Sequence, residues 1–160
     1  MEKQRLDYKK TAPEGFKSML ALSNYAQQSG LEHSLMELVK TRASQINGCA
    51  FCLDMHTQDA RVAGETEQRL YLLSAWREAP FYSERERAAL AWTEAVTLVS
   101  DTHVPDEVYQ EARHHFSEKE LVDLTFAVIA INSWNRLSVS FRVPAGTYQP
   151  QGKAETAKGR

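Results

Sequence analysis

Glu37-Leu-Val-Lys-Thr-Arg-Ala-Ser-Gln-Ile-Asn-Gly-Cys-Ala-Phe-Cys-Leu-Asp-Met-His-Thr-Gln-Asp-Ala-Arg61 holds both cysteines of a 160-residue chain, and its punctuation decides how the backbone around them runs. Asn47-Gly48 interrupts an apolar pattern of three-and-four spacing, because both residues tolerate positive φ. One helix is therefore expected from about Glu32 to Ile46. A second carries Cys49, Cys52 and His56 and stops at Gly64, so the two form a helical hairpin.

Cys49 and Cys52 are three residues apart, facing one another across one helical turn, a spacing that allows exchange between dithiol and disulfide. His56 lies four residues past Cys52 and stacks over the same face. Glu37 is eleven residues before Gly48 and His56 eight after it, so an antiparallel hairpin brings them to similar depth. A carboxylate beside an imidazole fixes its tautomer. The other ring nitrogen is then available to accept the Cys52 proton, directly or through a water. Cys49, nearer the helix start, has the position of a resolving thiol. The helix N-terminus favours thiolate as well; cysteines so placed commonly titrate at about 3.5 to 7.5, against about 8.5 for a free thiol.

Outward from the hairpin the same helical spacing persists, with Gly and Pro falling between the apolar stretches, and the fold is expected to be all-α. A first helix spans about Glu14 to Gln28 and ends before Gly30. A short one follows from Thr66 to Trp76. Ser83-Glu84-Arg85-Glu86 and Ser117-Glu118-Lys119-Glu120 are capping boxes that open two more. Asp106 to Phe116 lies between them. The last helix runs from Glu118 to about Val139, although Leu137 to Val143 alternates like a short strand. The expectation is thus a bundle of six to seven helices over residues 1–148. From Pro144 onward the chain turns to Gly, Pro and polar residues without apolar period, a composition that cannot offset ordering entropy by burial, and Gln149 to Arg160 reads as a tail.

Nineteen Lys and Arg against 21 Asp and Glu give a net charge of -2, interspersed rather than striped, which excludes a sequence-independent nucleic-acid binder. No apolar run approaches the roughly 20 residues of a membrane span, and no signal-peptide core opens the chain. A cytoplasmic location follows. In that reducing compartment a Cys-x-x-Cys pair is catalytic, redox-active or metal-binding rather than a permanent staple. Zinc is the rival use, since Cys49, Cys52, His56 and Glu37 are all ligand types and a zinc-stabilised interaction module would use that spacing.

Other residues have blander readings. Glu37 taken alone is a surface carboxylate paired with Lys40, Arg61 an ion-pair donor, and His114-His115 a solvated helix end. Trp76, Trp92 and Trp134 are core or subunit-interface candidates. Asn132 and Asn135 fall on an apolar face, where their amides need partners, expected to be backbone groups at helix ends near the hairpin.

The spacing Glu37-x11-Cys49-x2-Cys52-x3-His56, with Ser29-Gly30-Leu31 before it and Asn132 to Arg136 in the last helix, resembles the AhpD-like alkylhydroperoxidase core of the carboxymuconolactone decarboxylase family over about residues 10 to 145. The resemblance implies an AhpD-like helical bundle, a thiol-dependent hydroperoxide reductase serving antioxidant defence, and assembly as a homotrimer or homohexamer. No cofactor and no resident metal are expected. By carry-over Cys52 attacks a small hydroperoxide, Cys49 resolves, and Glu37 with His56 relays the proton. An external dithiol, such as dihydrolipoamide or a thioredoxin-like protein, would restore the pair. The chain departs from the founding alkylhydroperoxidase at Phe51, where that enzyme has histidine. The family's decarboxylase branch lacks the cysteine pair, so both thiols point to redox chemistry rather than lactone decarboxylation. A protein disulfide reductase or redox sensor is the alternative use of the same pair.

Overall fold

The structure, a computed structural model, describes residues 3–150. Helix α1 (Tyr8–Thr11) is capped by Asp7, whose side chain accepts from the Lys9 and Lys10 amides. Helix α2 (Pro13–Gln27) starts on a proline, whose missing N–H would be unpaired there anyway. Then come α3 (His33–Ile46) and α4 (Ala50–Val62), the expected hairpin, joined through Gly48 at φ 63°. The stretch read as one helix from Thr66 is α5 (Glu67–Leu72) followed by a tight turn, Leu73–Ala75. Helix α6 (Glu84–Thr97), a short α7 (Val99–Thr102), α8 (Asp106–His115) and α9 (Glu118–Phe141) complete the order.

Both capping boxes are formed. Ser83 and Ser117 each accept from the backbone N–H three residues on, and Glu86 and Glu120 reach back to the cap amides. A cap of this kind is worth about 1 kcal/mol, which favours a defined start for α6 and α9. Two short helices, α1 and α7, add to the six to seven expected; each is a single turn, too brief to show a period. The alternation at Leu137 to Val143 is not a strand. Helix α9 runs through it to Phe141 and stops at Arg142 with φ 53°, because Ser138 still faces the core on the helical register. No strand occurs among the described residues, and no helix there is long and apolar enough to cross a membrane.

Helix α3 is the central element. Leu35, Met36, Leu38, Val39 and Ala43 are buried on it, and α4, α6 and α9 pack around it. Fully burying each of the larger side chains is worth about 1.5–3 kcal/mol, so this one helix anchors both halves of the core. One half gathers Val39, Trp92, Phe116, Leu124 and Val128, the other Leu38, Leu73, Trp76, Tyr82 and Leu90.

The turn before α4 is tied to α9 by amides. Asn47 Nδ2 donates to Asn132 Oδ1 at 3.0 Å and Asn135 Oδ1 at 2.9 Å; Asn135 Nδ2 donates to Ser44 Oγ and Asn132 Nδ2 to Thr97 Oγ1, both at 3.0 Å. Sequence reasoning placed Asn132 and Asn135 on backbone partners at helix ends. They instead bond chiefly to side chains, because Asn47 sits where the hairpin turn meets α9 and offers a donor to both. The amides fix the cysteine turn against the long helix.

Residues 144–150, whose composition promised nothing to hold them, are bound to α4 at two points. Gly146 N donates to Asp54 Oδ2 at 2.8 Å and the Tyr148 hydroxyl to Asp59 Oδ1 at 2.7 Å. The tail read at Gln149 to Arg160 lies, from residue 151 on, outside the described residues.

Candidate active site

Cys49 is the N-cap of α4. Its sulfur accepts from the Cys52 backbone N–H at 3.3 Å, and its own N–H bonds back to the Ser44 carbonyl at 3.0 Å across the Gly48 turn. The two cysteines are joined as a disulfide with 5.4 Å between their Cα atoms, so the redox spacing is realised at a helix N-terminus. Each is only 1% exposed, packed with Ala43, Ile131, Phe51 and Trp134.

Cys52 is reached from a cavity of about 400 Å³ between α1, α2, α3, α4 and α9. Phe16, Leu20, Phe51, Met55, Ile131 and Trp134 make its apolar wall, while Glu37, Lys40, His56 and Asp59 make a polar end. Cys49 stands outside the lining. The access is thus one-sided: a molecule in the cavity meets Cys52, with Cys49 behind it.

Glu37 is buried on α3, and Oε2 lies 2.9 Å from His56 Nδ1. Lys40 Nζ donates to the other oxygen, Oε1, at 2.7 Å, and His33 Nε2 is 3.9 Å from it. Burial opposes the charged carboxylate, but the His56 hydrogen bond and charge, with the Lys40 ammonium, outweigh it and hold the Glu37 carboxyl down to about 2. An ionised carboxylate can only accept, so His56 Nδ1 carries the proton and a neutral ring keeps Nε2 as acceptor. His56 and Cys52 share one helix face and line the same cavity. The arrangement can take a proton from a thiol and return it to a leaving group.

All four expected site residues, Glu37, Cys49, Cys52 and His56, therefore come together. The surface pairing considered for Glu37 exists too, but in the interior: Lys40 binds it without drawing it into solvent. Arg61 pairs with Glu67 at 2.7 Å, as an ion-pair donor should. Trp76 and Trp92 are core residues, whereas half-buried Trp134 lines the cavity and donates to Ser23 Oγ at 2.7 Å. Sequence reasoning missed His33 and Asp59, although each is one turn from a recognised residue, His33 from Glu37 and Asp59 from His56. Tyr148 carried no local signal at all. As for zinc, the disulfide of this oxidised form occupies both sulfurs and Lys40 holds Glu37 Oε1, while Glu37, His56 and Asp59 each bring one ligand-type atom within 4.8 Å of the others.

A Cys-x-x-Cys capping the second helix of a hairpin, backed by Glu and His on an all-helical bundle, defines an AhpD-like protein. The chain belongs to the carboxymuconolactone decarboxylase family, whose model matches residues 13–95, a span containing all four site residues. It is 51% identical over 137 residues to the uncharacterized protein YdfG of Bacillus subtilis, covering 86% of this chain and 93% of that one. A crystal structure of a protein of unknown function from Agrobacterium tumefaciens, grouped with the antioxidant defence protein AhpD, superposes with a TM-score of 0.88 at 50% identity, over 91% of this chain and all of that one. The debrominase Bmp8 shares the fold at 18% identity, with a TM-score of 0.74 over 86% of this chain and 74% of its own.

Proposed function

We propose that this protein is a thiol-dependent reductase of organic hydroperoxides, acting in the cytoplasm in antioxidant defence. The observation that carries the reading is the one-sided access: Cys52 faces the cavity beside His56 while Cys49 lies behind it at the helix cap.

In the reduced protein His56 Nε2 takes the Cys52 proton, and the thiolate attacks the distal peroxide oxygen. The O–O bond breaks, Cys52 becomes a sulfenic acid, and the departing alkoxide takes the proton from His56 and leaves as an alcohol. Cys49 then attacks the Cys52 sulfur; water leaves and the disulfide closes. An external dithiol reduces it by two exchanges and is itself oxidised to a disulfide. The burial of both sulfurs favours a slender reductant such as dihydrolipoamide over a thioredoxin-like protein, and disfavours a protein disulfide as substrate. The apolar wall of Phe16, Leu20, Phe51 and Met55 favours a substrate with a hydrocarbon body over hydrogen peroxide. Phe51, in place of a histidine, belongs to that wall and leaves His56 as the base.

The test is peroxide consumption with dihydrolipoamide as reductant. Cumene hydroperoxide should turn over at least about tenfold faster than hydrogen peroxide, an advantage of about 1.4 kcal/mol from burying its apolar body. No turnover of either by fully reduced protein would end the proposal.

Assembly as a homotrimer or homohexamer is part of the same reading. Helix α9 leaves Val122, Phe126 and Ile129 at 53%, 39% and 43% exposure along one side, with Tyr25 against Phe126. A contiguous apolar stripe of that kind offers a surface that a second copy of the chain can cover. Light scattering at micromolar concentration should give three or six times the chain mass; a monomer would contradict this.

A further inference from the structure

The site reaches beyond the four residues of the motif. Asp59 lies three residues past His56 on α4, lines the cavity, and places a carboxylate oxygen in a cluster with Glu37 and His56 in which one polar atom of each residue lies within 4.8 Å of the other two. Along the helix the order is Cys52, His56, Asp59. At about 1.5 Å rise per residue, Asp59 sits about 10 Å from Cys52 along the axis, with the imidazole between. Its carboxylate is held by residues 144–150: the Tyr148 hydroxyl donates to Oδ1 at 2.7 Å, and nearer the start of the helix Gly146 N holds Asp54. Burial first, then the bond to Asp59 and the charges of Asp59 and Glu37, push the Tyr148 phenol up to about 12, so it remains a donor throughout the neutral range.

We infer that Asp59, held in place by Tyr148, is a positioning residue of the thiol relay: its charge favours the imidazolium of His56 and so the ion pair in which Cys52 is thiolate. This rests on the redox reading of Cys52 and extends it. A negative charge on the far side of the ring acts on the imidazolium at close range and on the sulfur only at two turns' distance, so attraction outweighs repulsion. The titratable and charged groups that line the cavity with His56 are Glu37, Lys40 and His33 from α3 and Tyr8 and Lys9 of α1, and Tyr148 of residues 144–150 reaches the site through Asp59. Helices α2 and α9 present neutral side chains there, Asn24, Gln27, Trp134 and Ser138 among them. Glu37 is engaged by Lys40, which leaves Asp59 as the carboxylate whose removal changes the local charge without breaking the Glu37 to His56 bond. Tyr148 acts only through Asp59.

The experiment reads thiol reactivity, not turnover, so it stands apart from the hydroperoxide test. In a Cys49→Ser background Cys52 is the sole thiol, and its rate of alkylation by iodoacetamide is followed from pH 5 to 10. Asp59→Asn should move the midpoint of that profile upward and lower the rate at pH 7 about threefold or more, equivalent to at least half a pH unit, while leaving the high-pH plateau unchanged. Tyr148→Phe should move it in the same direction by less, and the double variant should match Asp59→Asn alone, as residues acting in series do. Asp59→Glu, which restores the charge, should recover most of the shift. Coincident profiles, a uniform loss of rate at every pH, or additive effects of the two substitutions would each overturn the inference. A shifted profile in a protein that consumes no hydroperoxide would uphold the inference and sink only the peroxidase reading.

Discussion

Cys52→Ser protein is expected to consume no organic hydroperoxide above the uncatalysed rate, a loss on the order of 10³-fold or more, because the cavity then meets an alcohol in place of a thiolate. Cys49→Ser should behave differently. It lacks the resolving sulfur but keeps the one that faces the cavity, so it should reduce one equivalent of peroxide in a burst and then stall as a Cys52 sulfenic acid. A sulfenate-specific probe would label that protein and not the wild type, in which the disulfide closes. Reversal of the pattern, with the burst in Cys52→Ser, would show that Cys49 is the attacking sulfur and that the cavity does not lead to the chemistry.

The second large effect belongs to Glu37, and it appears in stability as well as rate. Its carboxyl is held down to about 2, below the value of about 4.3 it would have in an unfolded chain. A depressed folded-state value means stability that is fully present above the unfolded value and lost as pH falls towards 2; a shift of over two units corresponds to about 3 kcal/mol. The side chain is almost wholly buried, so little of this is screened. Glu37→Gln leaves the Lys40 ammonium without its carboxylate and His56 without its charged partner. At pH 7 it should lower the unfolding free energy by about 3–5 kcal/mol and the turnover rate by about 10². Urea titrations at pH 7 and pH 3 check the sign. Wild type should lose much more stability than the variant between those two points, since Glu32, Glu94, Glu120 and Asp123 are also held low but are present in both proteins. An equal acid loss in the two proteins would refute it.

The hairpin was legible in the sequence because its signals are local. Asn47-Gly48 breaks the period, Cys49 and Cys52 are a turn apart, and counting from Gly48 places Glu37 opposite His56. Both capping boxes were legible for the same reason, since a serine and a glutamate three residues on satisfy one another without help from the rest of the fold. What the sequence hid depends on distant partners. Asn47 meets Asn132 and Asn135 across 85 and 88 residues, and Tyr148 meets Asp59 across 89. No periodicity encodes such contacts. Composition misled at residues 144–150, where two hydrogen bonds to acidic side chains of α4 hold a segment that buries little. The end of α9 misled in the other direction, because a helix that exposes Val139 while burying Ser138 imitates alternation.

The knot of amides at Asn47 is also where a single chemical change would tell most on the site. An asparagine followed by glycine is the side chain most ready to lose ammonia to its neighbour's backbone nitrogen, and Asn47-Gly48 is such a pair at the foot of the thiol helix. Hydrolysis there would turn the donor that joins Asn132 to Asn135 into a carboxylate facing two carbonyl oxygens, repelling where it once tied. An aged preparation would then fail through slackening of the floor beneath its cysteines, with both sulfurs chemically intact.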